Sequence, residues 1–262
     1  MGIKWRAAHR ALYPFVIGFV ERADVSGTGP SIELPFAIPV VHIALGETQA
    51  QPVVISGGMK VARPVPPRSA QHTFVIALGF GGVKLFSHQP ACMAVDLFID
   101  VDEEFWPLRE RLREAPDFLT RAAIVEQQLL ERIGRVNPTM SPSLKVANAI
   151  AHDRWTGPVH ELARRCGIEE RTLRNRFLCD LGWSPKQLLR VARFNRALRA
   201  LHPQPWSGRP TQDVRLEFFD DAHFYREFRA LASISPAAFV AAKRLTGDTS
   251  LHSVLVDPHS AT

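Results

Sequence analysis

The spacing of hydrophobic residues changes partway along this 262-residue chain. Up to about residue 87, short apolar runs rich in β-branched residues are separated by Gly- and Pro-rich breaks, a pattern typical of strands in an antiparallel sheet or barrel. From about residue 102 the apolar residues recur every three or four positions, which predicts amphipathic helices. We therefore expect an α+β protein, with a β-rich, barrel-like N-terminal domain followed by an all-α domain.

Short strands are predicted at residues 15–20, 36–45, 52–56, 73–78 and 83–86. The glycines of the GFGG sequence at residues 79–82 raise the alternative of a phosphate-binding loop. Such a loop needs a helix N-terminus behind its glycines. Because residues 83–86 have the composition of another strand, we interpret the glycines as a hairpin turn.

Helices are predicted next at residues 102–115 and 117–133. Residues 136–142 contain two prolines and cannot continue a helix, so they predict a linker. A further helix is expected at residues 143–153. The predicted parts are a β-rich domain ending in two helices (1–135), the linker (136–142), a helical domain (143–245) and a flexible tail (246–262).

Residues 159–185 predict two short helices joined by a tight turn at Gly167, which has the backbone freedom that such a turn needs. On the second helix, Leu173 and Phe177 mark the buried side. An apolar side opposite an Arg- and Asn-rich side is what reading base edges in a major groove requires. The alternative is a surface helical hairpin with solvated arginines. The residues that face away from the buried pair are Arg171, Arg174 and Asn175, with Arg176 on the flank.

The pattern occurs twice, which favours the DNA-reading interpretation. The spacing of Leu173, Phe177 and Pro185 recurs in Phe224, Phe228 and Pro236. Between the copies, residues 186–201 predict one long helix with an apolar stripe and several arginines around its other side. Two helix-turn-helix units on one connecting helix form a specific architecture.

The segments LARRCGIEERTLRNRF, GWSPKQLLRVARFNRAL and FFDDAHFYREFRALASISPAAF together resemble the AraC/XylS family of transcriptional regulators. The resemblance covers roughly residues 143–243. It implies a bipartite helical domain that places two recognition helices in successive major-groove segments. The base-reading positions that it implies are Arg171, Arg174, Asn175, Ala222, Tyr225 and Arg226. We expect phosphate contacts from Arg176, Lys186, Arg190 and Arg229.

Four positions depart from the family pattern. Asn175 stands where arginine is usual, which favours adenine over guanine. Asp213 replaces a small alanine and is hard to bury without a partner, while Glu217 replaces the turn glycine. Ser233 also stands where glycine is common. We therefore expect the second unit to be distorted or to contact DNA more weakly than the first.

The net charge of +6 is concentrated in the helical half. Residues 141–245 contain 18 Lys and Arg against 10 Asp and Glu, whereas the rest of the chain contains 14 against 16. An excess of positive charge in one domain is the electrostatic signature of a phosphate-binding surface. The expected partner is double-stranded promoter DNA.

The order of a β-rich domain and a helical pair resembles the effector-sensing and dimerising domains attached to many AraC-type regulators. This layout implies a small-molecule effector in residues 1–135 and a monomer or a homodimer. His42 and His72 lie in or beside predicted strands and are candidate effector contacts. No His-x-His pair is present, so hydrogen-bonded histidines are the better interpretation, and we expect no metal and no cofactor.

Three cysteines without close spacing, Cys92, Cys166 and Cys179, favour a reducing cytoplasm over a disulfide framework. Cys166 and Cys179 lie within the helical motifs and are expected to be small core residues. No apolar run approaches the ~20 residues of a membrane-spanning helix, so no membrane association is expected.

Two rival interpretations belong to other functional classes. One is an enzyme with a catalytic β-domain, but no nucleophile–base arrangement or carboxylate pair is visible, so we do not expect an enzyme. The other is a ligand-binding or protein-interaction module whose DNA-binding half is degenerate, which Asp213 and Glu217 would favour. That module would show no sequence preference on DNA.

Overall fold

The computed structural model describes residues 3–23, 31–46, 53–65, 72–201, 218, 220–246 and 253–255. The larger sheet is formed by β1 (Lys4–Ala7), β2 (Val16–Ala23), β4 (Val40–Ala44), β5 (Val53–Ser56), β7 (His72–Leu78) and β8 (Phe98–Asp100). The smaller sheet is formed by β3 (Ser31–Glu33), β6 (Arg63–Val65) and β9 (Ser253–Leu255). The strand orders are β1-β2-β7-β4-β5-β8 and β6-β3-β9, and every pairing is antiparallel.

One face of the larger sheet forms the core of the N-terminal domain. Alternation along β4 and β7 directs Val41, Ile43, Phe74 and Ile76 to this face, where all four side chains are fully buried. The helix α2 (Phe118–Val136) covers it and buries Ala122, Val125 and Leu129, which follow the helical period. The predicted sheet-rich domain is confirmed.

The strand predicted at residues 83–86 is wrong. Residues Phe80–Leu85 form a 3-10 helix in which Phe80, Val83 and Leu85 are buried. A short apolar run cannot distinguish a buried strand from a buried helical turn. The hairpin turn assigned to the glycines is also wrong: a Cβ at Gly82 would lie only 2.1 Å from the carbonyl oxygen of Phe15, so this glycine permits close backbone approach.

Proline divides the helix that was predicted at residues 102–115. A 3-10 turn at Glu103–Phe105 precedes Pro107, and α1 (Leu108–Glu114) follows it. The next helix, α2, begins as predicted, with Asp117 as its N-cap. The backbone N–H of Thr120 donates to this carboxylate at 2.8 Å and lowers the pKa of Asp117.

The helical part contains α3 (Pro142–Ala151), α4 (Val159–Arg165), α5 (Glu170–Leu181), α6 (Pro185–Leu201), α7 (Asp221–Ala232) and α8 (Pro236–Thr246). The predicted helices at residues 143–153 and 186–201 are confirmed within two residues at each end. Among the residues that the structure describes, no helix has both the length and the apolar character that crossing a membrane requires.

The helical part shares a hydrophobic core with the N-terminal domain. Four buried residues of the N-terminal domain belong to the same cluster as the helices: Leu34, Ala37, Phe80 and Val95. Buried amide side chains add polar contacts across this boundary, because Asn195 donates to Pro35 O at 2.7 Å and accepts from Ala37 N–H at 3.1 Å. Similarly, Asn148 accepts from Phe80 N–H at 2.8 Å.

The chain returns to the N-terminal domain after α8. Within the tail expected at residues 246–262, β9 pairs with β3 in the register Ser31↔Leu255, Ile32↔Val254 and Glu33↔Ser253. This pairing is at odds with a tail that is flexible throughout. The C-terminal strand thereby completes the smaller sheet.

Candidate DNA-binding surface

The first helix-turn-helix unit consists of α4, α5 and the loop at residues 182–184 that leads into α6. Ala163 is buried where α4 lies against its neighbours, and Gly167 turns the chain with a φ of +64°. The buried side of α5 carries Leu173, Phe177 and Leu181, as its spacing predicts. These contacts fix which side of α5 faces solvent.

The solvent side of α5 carries Arg171, Arg174 and Asn175, all of them exposed. Together with Leu178, which is 42% exposed, they occupy positions i, i+3, i+4 and i+7 of one helical stripe. Arg176, predicted to contact phosphate, is also exposed but lies on the flank of this stripe. The structure therefore places the three predicted base-reading residues on one accessible surface.

The second unit repeats this arrangement on α7. The carboxylate of Asp220 accepts from His223 N–H at 2.5 Å and caps the helix. Phe224 and Phe228 are buried. The exposed stripe at positions i, i+3, i+4 and i+7 is Ala222, Tyr225, Arg226 and Arg229.

Of the three departures in the second unit, one lies within the described residues. Ser233 ends α7 with a φ of +61° and a ψ of +3°, in the left-handed region that favours glycine. Its N–H donates to Arg229 O at 2.9 Å, so the helix ends in a regular turn. The positions of Asp213 and Glu217 lie outside the described residues.

The arginines of α6, which the sequence places around the side away from the apolar stripe, make intramolecular contacts in the structure. Arg190, predicted to contact phosphate, makes a two-point ion pair with Glu227 at 2.6 and 3.2 Å. Arg193 lies over the ring of Phe218 at 5.6 Å. A phosphate contact by Arg190 would require its ion pair to open.

Two more arginines of α6, Arg196 and Arg199, bind Asp153 at the end of α3, Arg196 at 2.7 Å. Lys186, in the first turn of the same helix, is exposed. Helical periodicity places a side chain on a face but does not identify a partner on another helix, so these ion pairs could not be found from the pattern.

The histidines proposed as effector contacts do not form a common site. His42 pairs with Val75 across β4 and β7, so His42 and His72 extend to opposite faces of the sheet. The ring of His42 lies edge-on to Phe98 at 5.9 Å, and His72 Nε2 lies 3.3 Å from a carboxylate oxygen of Glu21. Within the described ranges, no group of three or more His, Cys, Asp and Glu side chains could hold a metal ion.

The three cysteines are free thiols. Cys166 is half-buried and packs against the helical core, in keeping with its expected role. The core position predicted for Cys179 is wrong, because this side chain is exposed on α5 beside the exposed Asp180. The apolar period of α5 passes through Leu173, Phe177 and Leu181 and leaves position 179 outside.

Comparison with known proteins identifies the helical part. A family model described as a helix-turn-helix domain matches residues 162–242, which include α5, α6 and α7. A search of curated proteins found none that matches the chain.

Among solved structures, the chain is similar to ToxT from Vibrio cholerae. A ligand-free point variant of ToxT is 9% identical with a TM-score of 0.46, and the match covers 90% of this chain and 99% of that one. Wild-type ToxT with a bound unsaturated fatty acid is 10% identical with a TM-score of 0.43, and the match covers 88% and 93%.

Proposed function

Because residues 162–242 form a helix-turn-helix domain of the AraC type, we propose that this chain is a sequence-specific regulator of transcription that binds promoter DNA in the cytoplasm. The observation that carries the proposal is the repeated stripe on α5 and α7. Each helix buries three large apolar residues and exposes positions i, i+3, i+4 and i+7. Two such helices on one chain can read two neighbouring stretches of major groove.

The side chains on the stripes divide into two roles under this proposal. Base edges are read by Arg171, Arg174, Asn175, Ala222, Tyr225 and Arg226. Arginine suits guanine, asparagine suits adenine, and alanine offers an apolar contact to a thymine methyl group. Phosphate contacts come from Arg176, Lys186 and Arg229, which are exposed, and from Arg190 after release from Glu227.

The sheet domain takes a small-molecule effector in this proposal. The face of the sheet opposite α2 supports it, because Phe36, Val40 and Met59 form a separate apolar cluster there. His42 lies on this face as well, because it is two positions after Val40 in β4 and alternate residues of a strand point to the same side. His72 lies on the other face, with its Nε2 atom 3.3 Å from a carboxylate oxygen of Glu21, so we assign it to this polar contact and not to the effector.

Selection of bound fragments from a random DNA library by the full-length protein tests the proposal. We expect a preferred sequence whose binding persists near physiological salt. Arg174→Ala should weaken binding to that sequence by about 1–3 kcal/mol and relax base preference at one position. Lys186→Ala should instead weaken all sequences alike and reduce the slope of log affinity against log salt by about 1.

Arg113→Ala is the matched control, because Arg113 is an exposed arginine of the sheet domain that pairs with Glu110 at 3.2 Å. It should change neither affinity nor preference. Unchanged preference in both Arg171→Ala and Arg174→Ala would contradict base reading by α5. Binding that shows no sequence preference in the wild-type protein would favour the degenerate-module alternative.

A further inference from the structure

One stretch of the sheet domain contacts both helix-turn-helix units. We call residues 57–62 the bridging segment. At one end, Gly57 O accepts from Trp183 Nε1–H at 3.3 Å, next to the start of α6. At the other end, Ala62 N–H donates to Leu231 O at 2.8 Å, in the last turn of α7. The same short segment therefore binds an anchor in each unit.

The anchor in the first unit is enclosed by the bridging segment. Trp183 is fully buried, and a Cβ at Gly58 would lie 3.1 Å from its ring atom Cζ2. Gly58 also has a φ of +95°, a backbone conformation that residues with a side chain rarely adopt. Lys60 places its ammonium group 5.6 Å from the indole ring, and its backbone N–H donates to Asp96 at 2.7 Å.

The anchor in the second unit is the carbonyl group of Leu231, which has no hydrogen-bond donor within its own helix. Carbonyl groups in the last turn of a helix lack intrahelical partners. Ser233 N–H donates to Arg229 O, while Leu231 O receives the N–H of Ala62. Leu231 is 2% exposed, so solvent does not readily replace this bond. The end of α7 is therefore held by the sheet domain.

A second contact fixes the connecting helix to the same region. Asn195, in the middle of α6, bonds Pro35 O and Ala37 N–H. Phe36 lies between those two residues, and its carbonyl oxygen accepts from Met59 N–H of the bridging segment at 2.9 Å. The two anchors and α6 are thus tied to one continuous hydrogen-bonded part of the sheet domain.

We infer that the bridging segment sets the orientation of α7 relative to α5, so that the sheet domain positions the two DNA-reading stripes. The inference rests on the proposed function. Two recognition helices must fit one rigid duplex, where the distance and angle between groove segments are fixed by the helical repeat. The ion pair between Arg190 and Glu227 ties α6 directly to α7. The bridging segment adds a tie from outside both units.

Ala62→Pro tests the inference because proline lacks the N–H that Leu231 O receives. Val61→Pro is the matched control, since it adds a proline one position earlier and keeps that bond. Hydrogen exchange of the full-length protein without DNA gives the first readout. We expect exchange in the last turns of α7 to become about tenfold faster in Ala62→Pro, with α5 unchanged, and no such difference in Val61→Pro.

DNA binding gives the second readout. The probes are the selected sequence and a version with the half read by α7 scrambled. Ala62→Pro should lower affinity for the intact sequence by about tenfold and leave affinity for the scrambled one unchanged. Equal losses on both probes, or unchanged exchange in α7, would overturn the inference.

Asn195→Leu and Asn148→Leu provide a second pair if proline disrupts folding. Both remove a buried amide that crosses the same domain boundary, but Asn148 bonds Phe80 and not the region of the bridging segment. Only Asn195→Leu should selectively lower affinity for the intact sequence; equal effects of the two changes would count against the inference. If the wild-type protein shows no sequence preference but Ala62→Pro still speeds exchange in α7, the proposed function is wrong. The contact between the bridging segment and α7 is supported in that case.

Discussion

Ser233 occupies the left-handed backbone region in which a Cβ is unfavourable. Replacing it with glycine removes that strain at the end of α7, although glycine also gains freedom in the unfolded chain. We expect Ser233→Gly to raise the free energy of unfolding by about 0.5–1 kcal/mol in urea denaturation. Ala230→Gly, at an exposed position inside α7, is the control and should lower it by about 1 kcal/mol. Destabilisation by Ser233→Gly would contradict the left-handed conformation of Ser233 at the end of α7.

His152 makes stability depend on pH. Burial lowers the pKa of His152 from its usual 6.5, and Arg154 lowers it further, while Asp153 opposes the shift. The unfolded chain therefore binds a proton more readily than the folded protein. The stability gained from neutral His152 is complete above pH 6.5 and is lost as the pH falls below that value through the lowered folded pKa.

His152→Gln should therefore flatten the dependence of the unfolding free energy on pH at and below pH 6.5. Urea denaturation of both proteins at a series of pH values measures the difference. Identical slopes in this range would show that His152 does not contribute.

At the scale of single elements, the ion pair between α6 and α7 can be measured by a double-mutant cycle. Arg190 and Glu227 make two hydrogen bonds and are partly buried, so their coupling should be about 0.5–1 kcal/mol. The control pair is Glu161 and Arg165, an exposed i, i+4 pair within α4, with an expected coupling of about 0.3–0.5 kcal/mol. A weaker coupling for the first pair would show that this ion pair contributes little to holding α7 against α6.

Periodicity predicted the helices well because each has an apolar face that is buried by its neighbours. The same reasoning missed β6, where Pro64 was assigned to a break between strands. Proline is tolerated here because β6 is an edge strand in the order β6-β3-β9. Among the described strands, none on its open side requires the backbone N–H that Pro64 lacks. Three-residue strands such as β3 and β9 are too short to show alternation.

The exposed stripes could be predicted from sequence, but their surroundings could not. The positions of Arg171 and Arg174 follow from the spacing of the buried residues on the same helix. The bonds of Asn195 join residues about 160 positions apart, and no pattern within α6 indicates them. Asn195 itself falls on the apolar stripe of α6, which is the sequence signal that it needed a partner.

At the scale of the whole molecule, the shared core should make unfolding cooperative. Leu34, Ala37, Phe80 and Val95 of the sheet domain lie in the same buried cluster as α3–α8. Separation of the two parts would expose this apolar surface. We expect a single transition in differential scanning calorimetry, with equal calorimetric and van't Hoff enthalpies. Two resolved transitions would show independent domains, as the sequence division at residues 136–142 suggested.

The pairing of β9 with β3 also has a consequence for synthesis. Strand β3 leaves the ribosome early, but its partner leaves only after all the helices of the DNA-reading part have been made. Because N-terminal regions fold during translation, the nascent protein carries an incomplete sheet with an open edge for most of its elongation. Completion of that sheet thus coincides with completion of the reading helices, and a prematurely terminated product would lack the final strand.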